Sequence, residues 1–114
     1  MAAKTAPQIR RKLVSELRHY AVSFDADLPA GHSFSGETPT ITVSPAGPTV
    51  ANKAVSTAVM DVEDHVAVPI GRVLLYSVAA GTAGVEYTFS LFCATDATVS
   101  ETVGGKTTLR VEAD

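Results

Sequence analysis

The sequence predicts an all-β fold, a β-sandwich of about seven short strands preceded by a basic N-terminal arm. Three observations predict it. From residue 18 onward the apolar residues recur with a period of two, not 3.6. Thr, Val and Ala are abundant and Trp is absent, a composition that suits strands. Clusters of Gly and Pro punctuate the chain at near-regular intervals, and no helix-length segment separates the strands as a βαβ crossover requires. The 114 residues, 46% apolar and 18% charged, suit one core, with an arm over 1–18 and a sandwich over 19–114.

The elements follow in order. Pro7 suits the first turn of a helix, and Ile9, Leu13 and Leu17 then recur every four residues. This spacing predicts a short amphipathic helix within 7–18, with Arg10, Arg11 and Lys12 mostly off its apolar face. Such a helix is marginal alone and needs a surface to dock on. Tyr20, Val22 and Phe24 alternate with Ala21, Ser23 and Asp25 as a half-buried strand. Leu28-Pro29-Ala30-Gly31 breaks it, and a weak strand is expected over His32 to Ser35. Ile41 and Val43 alternate with Thr40, Thr42 and Ser44, and Pro45-Ala46-Gly47-Pro48 reads as a turn.

Residues 56–62 read as a strand with Ala58, Met60 and Val62 on one face, followed by a short piece holding Val66 and Val68. The run Val73, Leu74, Leu75, Tyr76 and Val78 has no polar face, so it predicts a strand covered on both sides or an interface. Residues 85–94 carry the clearest alternation, with Val85, Tyr87, Phe89, Leu91 and Cys93 inward. Phe92 falls on the outward parity. Gly104-Gly105 reads as the turn into a last strand over 106–112, with Leu109 and Val111 inward.

Charge is unevenly placed. Residues 1–19 hold five basic residues against Glu16 alone, while residues 20–114 hold four basic and eleven acidic ones. A basic arm on an acidic body suits assembly with neighbours. No stacking aromatics interleave with the arm, which disfavours nucleic acid. The single cysteine, Cys93, leaves no disulfide within the chain, and its inward parity makes it a small core residue. No apolar stretch reaches the ~20 residues of a membrane span, and no signal-peptide run follows Met1. Synthesis in a cytoplasm with no membrane partner is the expectation.

The search for chemistry is sparse. His19, His32 and His65 stand apart, without a second ligand at metal spacing. Asp25 with Asp27, and Asp61 with Glu63 and Asp64, could offer oxygens to calcium but lack the EF-hand pattern. Solvated loop carboxylates are the simpler reading. Gly81-Thr82-Ala83-Gly84 lacks the Lys-Ser/Thr of a phosphate loop and reads as a turn. No catalytic residue, metal ligand or cofactor is assigned.

The segment from Ala80 through Gly81-Thr82-Ala83-Gly84 to Tyr87 resembles the turn of immunoglobulin/fibronectin-III-like sandwiches that places a tyrosine at a corner. There the ring packs and the hydroxyl ties back to nearby backbone, and Tyr87 is the candidate. The order of segments is more specific. Tyr20–Phe24, then Leu28-Pro29-Ala30-Gly31, Ile41–Ser44, the 81–84 turn and Leu109-Arg110-Val111 is similar to the series in small fiber–tail adaptors of tailed phages. The likeness covers roughly residues 19–113. Val62–Arg72 departs from it as a longer stretch, and so does the basic helix.

The resemblance implies a non-enzymatic virion structural protein, made in the host cytoplasm. It would assemble in several copies in the tail or neck and link fibers or other tail proteins. A capsid decoration or head-completion protein would use the same fold. A carbohydrate- or cell-surface-binding module is a third reading, for which Phe92 and Phe34 are the candidate exposed aromatics. The candidate interface residues are Ile9, Arg10, Arg11, Leu13 and Leu17 of the arm, Leu75 of the apolar run, and Phe92. The partners expected are copies of the chain and other virion proteins.

Overall fold

The computed structural model describes residues 4–5, 10–25, 28, 32–34, 38–62, 65–96 and 101–114. Ten strands follow in order: β1 (Lys4–Thr5), β2 (Arg10–Leu13), β3 (Arg18–Ser23), β4 (Thr40–Ser44), β5 (Thr49–Val55), β6 (Met60–Val62), β7 (His65–Val68), β8 (Val73–Ala79), β9 (Glu86–Ala94) and β10 (Thr102–Glu112). Among the described residues there is no helix, and so none long and apolar enough to cross a membrane.

Two sheets make the body. In the first, β4, β9 and β10 run antiparallel to their neighbours, and β1 and β2 both lie parallel along the far edge of β10. In the second the order is β3-β8-β5, all antiparallel. The inward residues of both sheets form one core. Val22, Leu74, Tyr76 and Val78 come from the second sheet, and Ile41, Tyr87, Phe89, Leu91, Cys93, Leu109 and Val111 from the first. The rings of Tyr76 and Phe89 meet across the sheets at a centroid distance of 5.6 Å. Each such aliphatic or aromatic burial contributes roughly 1.5–3 kcal/mol. The arrangement is β-sandwich-like, as the period-two pattern requires.

The hairpin β6–β7 lies over the outside of the second sheet. Val62 and Val68 pack there on Val73, with Ala21, Met60 and Leu75 partly buried beside them. This explains the run without a polar face. Leu74 and Tyr76 of β8 point to the main core, and Val73 and Leu75 point to the hairpin.

The expected N-terminal helix is replaced by strand. Leu109 to Glu112 of β10 pair in parallel register with Arg10 to Leu13. A tight turn follows, in which Leu13 N–H donates to the Glu16 carboxylate at 2.8 Å and Glu16 N–H donates back to Leu13 O at 3.0 Å. Leu13 and Leu17 therefore do not share an apolar helical face. Leu13 ends the strand and Leu17 follows the turn, and both remain exposed. A helix this short has little intrinsic stability, whereas β10 offers it a ready-made ladder.

Gly104-Gly105 is not a turn. Both residues lie inside β10, opposite Phe92 and Leu91, and the connection is instead closed by Thr95 N–H donating to Glu101 O at 2.8 Å. Gly104 is favoured by close approach, because a Cβ there would meet the Phe92 ring and stand 2.9 Å from the Leu91 carbonyl oxygen. The weak strand expected from His32 reduces to one bridge, Phe34 to Thr95, with Ser35 outside the described residues.

Candidate interaction site

The charges of Arg10, Arg11, Lys12 and Arg18 are all engaged within the fold. Arg10 spans from the first sheet to the second. Its guanidinium donates to Thr107 Oγ1 and to Ala21 O, both at 2.7 Å, and lies 5.6 Å from the Tyr20 ring centroid. Lys12 is only 2% exposed, and its ammonium donates to the carbonyls of Leu13 (2.7 Å), Ala80 (2.8 Å) and Val14 (3.0 Å). Three carbonyls match the three donors of a lysine. Arg11 pairs with Glu112 at 2.6 Å and Arg18 with Glu16 at 3.2 Å, both on the surface, where such pairs contribute little. Arg10 to Leu13 thus form a stitched edge of the sandwich. Ile9 lies outside the described residues.

Tyr87 is buried at the end of β9, and its hydroxyl accepts from Thr82 N–H at 2.9 Å. The turn that carries this bond needs Gly81, whose φ is +102° and whose place leaves no room for a Cβ, with Val111 Cγ2 at 2.9 Å. Leu75 is half-buried under the hairpin. Phe92 is 40% exposed on the outer face of the first sheet, whereas Phe34 is buried edge-to-face against Phe24 at 5.3 Å. Phe34 is therefore withdrawn from any sugar-stacking surface.

The densest polar cluster, which the sequence reading passed over, sits at one end of the sandwich. Arg72 is 7% exposed. Its Nε donates to Asp25 Oδ1 at 2.6 Å, and its two terminal nitrogens donate to the carbonyls of Asp25, Leu28 and His32. Beside it Asp96 accepts from Ser33 N–H at 3.2 Å and meets His32 Nδ1 at 3.1 Å. Together with Pro69 and Ile70, several of these residues line an open cavity of about 630 Å³. The arginine draws the loop after β3 onto the turn before β8. The signal for it was present in the sequence, since a lone Arg directly before an unbroken apolar run must find acceptors or stay out of the core.

Among the described residues no three His, Cys, Asp or Glu side chains form a metal-binding group. Asp25 serves Arg72, and Asp61 accepts from Ala67 N–H at 2.8 Å. Asp27, Glu63 and Asp64 lie outside the described residues. Cys93 is buried in the core, and on the hairpin and its flanks Val59, Val66 and Ile70 are each exposed.

Three exposed carboxylates tie chain ends and loops together, and each is held below its usual range. Asp96 is lowered chiefly by the Ser33 backbone N–H, Glu16 by the Leu13 backbone N–H, and Asp114 by the Ser15 hydroxyl. A depressed folded value contributes stability above the unfolded value and loses it as pH falls through the folded one. Thermal melts should therefore hold steady near neutrality and fall as the pH drops below about 4, the ordinary carboxylate range. Asp96→Asn should lose less over that window than the parent, and a melting temperature unchanged down to pH 3 would refute the assignment.

Comparison with known proteins yields no matching family model, no matching curated protein and no matching solved structure.

Proposed function

We propose that this chain is an immunoglobulin-like, non-enzymatic structural protein of a tailed-phage particle, an adaptor in the tail or neck that links fibers or other tail proteins. The observation that carries the reading is where the resembling segments fall. Tyr20–Phe24 runs along β3 and the first residue after it, Ile41–Ser44 is in β4, the 81–84 turn holds the Tyr87 hydroxyl, and Leu109–Val111 is in β10. The series thus follows the framework of one sandwich.

The strand orders β3-β8-β5 and β4-β9-β10 support the immunoglobulin-like reading, in which they would be strands B-E-D and C-F-G. The N-terminal strand joins the last strand in place of the B strand. The segment that departs from the adaptor series, Val62–Arg72, contains most of the hairpin β6–β7. Exposed Val59, Val66 and Ile70 on and beside that hairpin offer an apolar surface for a neighbouring protein. The buried cations Arg72 and Lys12 are engaged by backbone carbonyls and support the fold, which favours a binding role over a chemical one.

Mass spectrometry of purified particles, from cells producing the phage that encodes the chain, tests the reading. The protein should be present in several copies per particle, and antibody labelling should fall on the tail or neck. Labelling of the head would favour the capsid-decoration reading. Absence from purified particles would overturn the proposal.

A further inference from the structure

The edges of the two sheets are not equivalent. On β5 the register shifts between Ala51 and Ala54, with Asn52 at a φ of 53°, a bulge that spoils further pairing. On β3 the Ala21 carbonyl is taken by Arg10. The β2 edge carries Arg11 and the buried Lys12. Charges and bulges of this kind are what keep edges from pairing with other chains. β4 has none of them. Among the described residues it pairs only with β9, without a register shift.

We propose that β4 is a self-pairing edge, through which two copies of this chain join antiparallel about a twofold axis at Thr42. Three features of the strand argue for a second copy as the occupant. Its sequence is self-complementary about that residue: Thr42 would face Thr42, Thr40 would face Ser44, and Ile41 would face Val43. Hydroxyl side chains then meet hydroxyl side chains on the outer face, and aliphatic meets aliphatic on the inner one. Pro39 and Pro45 stand three residues to either side of Thr42, so the ladder stops at both ends in the same register.

Charge points the same way. No charged residue occurs from Thr38 to Pro48 in a chain of net charge −3. Two copies therefore meet there without repulsion, whereas a foreign acidic or basic strand would find no charge to match. Ile41 is already buried and Val43 half-buried, so pairing would cover the more open side chain with the partner's Ile41. The result is an isologous interface that merges the first sheets of two copies. It rests on the strand topology and not on the virion reading, so its failure would leave that reading standing.

Sedimentation velocity of the full chain, over a micromolar concentration series, tests it. The chain should dimerise reversibly. Thr42→Lys, which sets two like charges on the axis, should be monomeric at every concentration with an unchanged circular-dichroism spectrum. Register is read separately by oxidation. Thr42→Cys should give a disulfide-linked dimer, and Lys106→Cys, exposed on the same sheet but away from the edge, should not. A chain that stays monomeric throughout overturns the proposal, as does a dimer that Thr42→Lys leaves intact. Cross-linking through Lys106→Cys in place of Thr42→Cys also overturns it.

Discussion

Removing residues 1–14 should lower the stability of the domain by at least about 4 kcal/mol, a large part of the 5–15 kcal/mol typical of a domain. Four losses combine. β10 loses the parallel strand β2 and becomes an open edge. Val14, which packs on the core and donates its N–H to Glu112 O at 3.1 Å, is lost with it. The Ala80, Leu13 and Val14 carbonyls share the Lys12 ammonium, and a hydrogen bond from a charged donor contributes about 1.5–3 kcal/mol that goes with it. The bridge from Arg10 to Ala21 between the sheets also goes. Urea unfolding of the truncated and full chains, followed by circular dichroism, measures the difference. Lys12→Met, which keeps the volume and removes the donors, should account for about 2 kcal/mol of it. A truncated chain with an unchanged midpoint would show that the N-terminal strand is an accessory.

Arg72→Ala should destabilise the domain by about 3 kcal/mol, because it removes charged hydrogen bonds worth about 1.5–3 kcal/mol and leaves the buried Leu28 carbonyl without its donor. The arginine is the donor to three loop carbonyls, those of Asp25, Leu28 and His32, as well as to the Asp25 carboxylate. Without it the buried Leu28 carbonyl loses its donor, while those of Asp25 and His32 are left at the open cavity without the guanidinium that draws the loop in. Arg72→Lys should recover little, because one ammonium cannot reproduce the planar fork that reaches acceptors on both sides. Asp25→Asn should cost less than either, since Asp25 is nearly half exposed and the carbonyl bonds survive. Denaturant midpoints of the three variants order the effects. Equal losses for Arg72→Ala and Asp25→Asn would place the value of the cluster in the ion pair and not in the backbone clamp.

The hairpin shows why parity along a strand has limits. Val66 and Val68 are two apart and read as one face, yet Val66 is 79% exposed and Val68 only 1%. Between them Ala67 adopts a φ of 53° and donates its N–H to Asp61, so a bulge turns one valine outward. β5 was invisible for a related reason. It is an edge strand with almost no buried side chain, so it leaves no alternation to detect.

Burial alone was enough to determine β3, β4, β8, β9 and most of β10. In each, one residue in two faces a common core, and that constraint is written into the order of apolar and polar residues. The inward placement of Tyr87 was legible for the same reason, while its corner role came from the resemblance of the segment from Ala80 to Tyr87. The N-terminal strand, the place of Lys12 and the particular carbonyls that Arg72 clamps were decided only in three dimensions, although the need of Arg72 for acceptors was legible. Their stability comes from carbonyls and strand edges supplied by residues far along the chain, and local periodicity carries no record of a partner that distant.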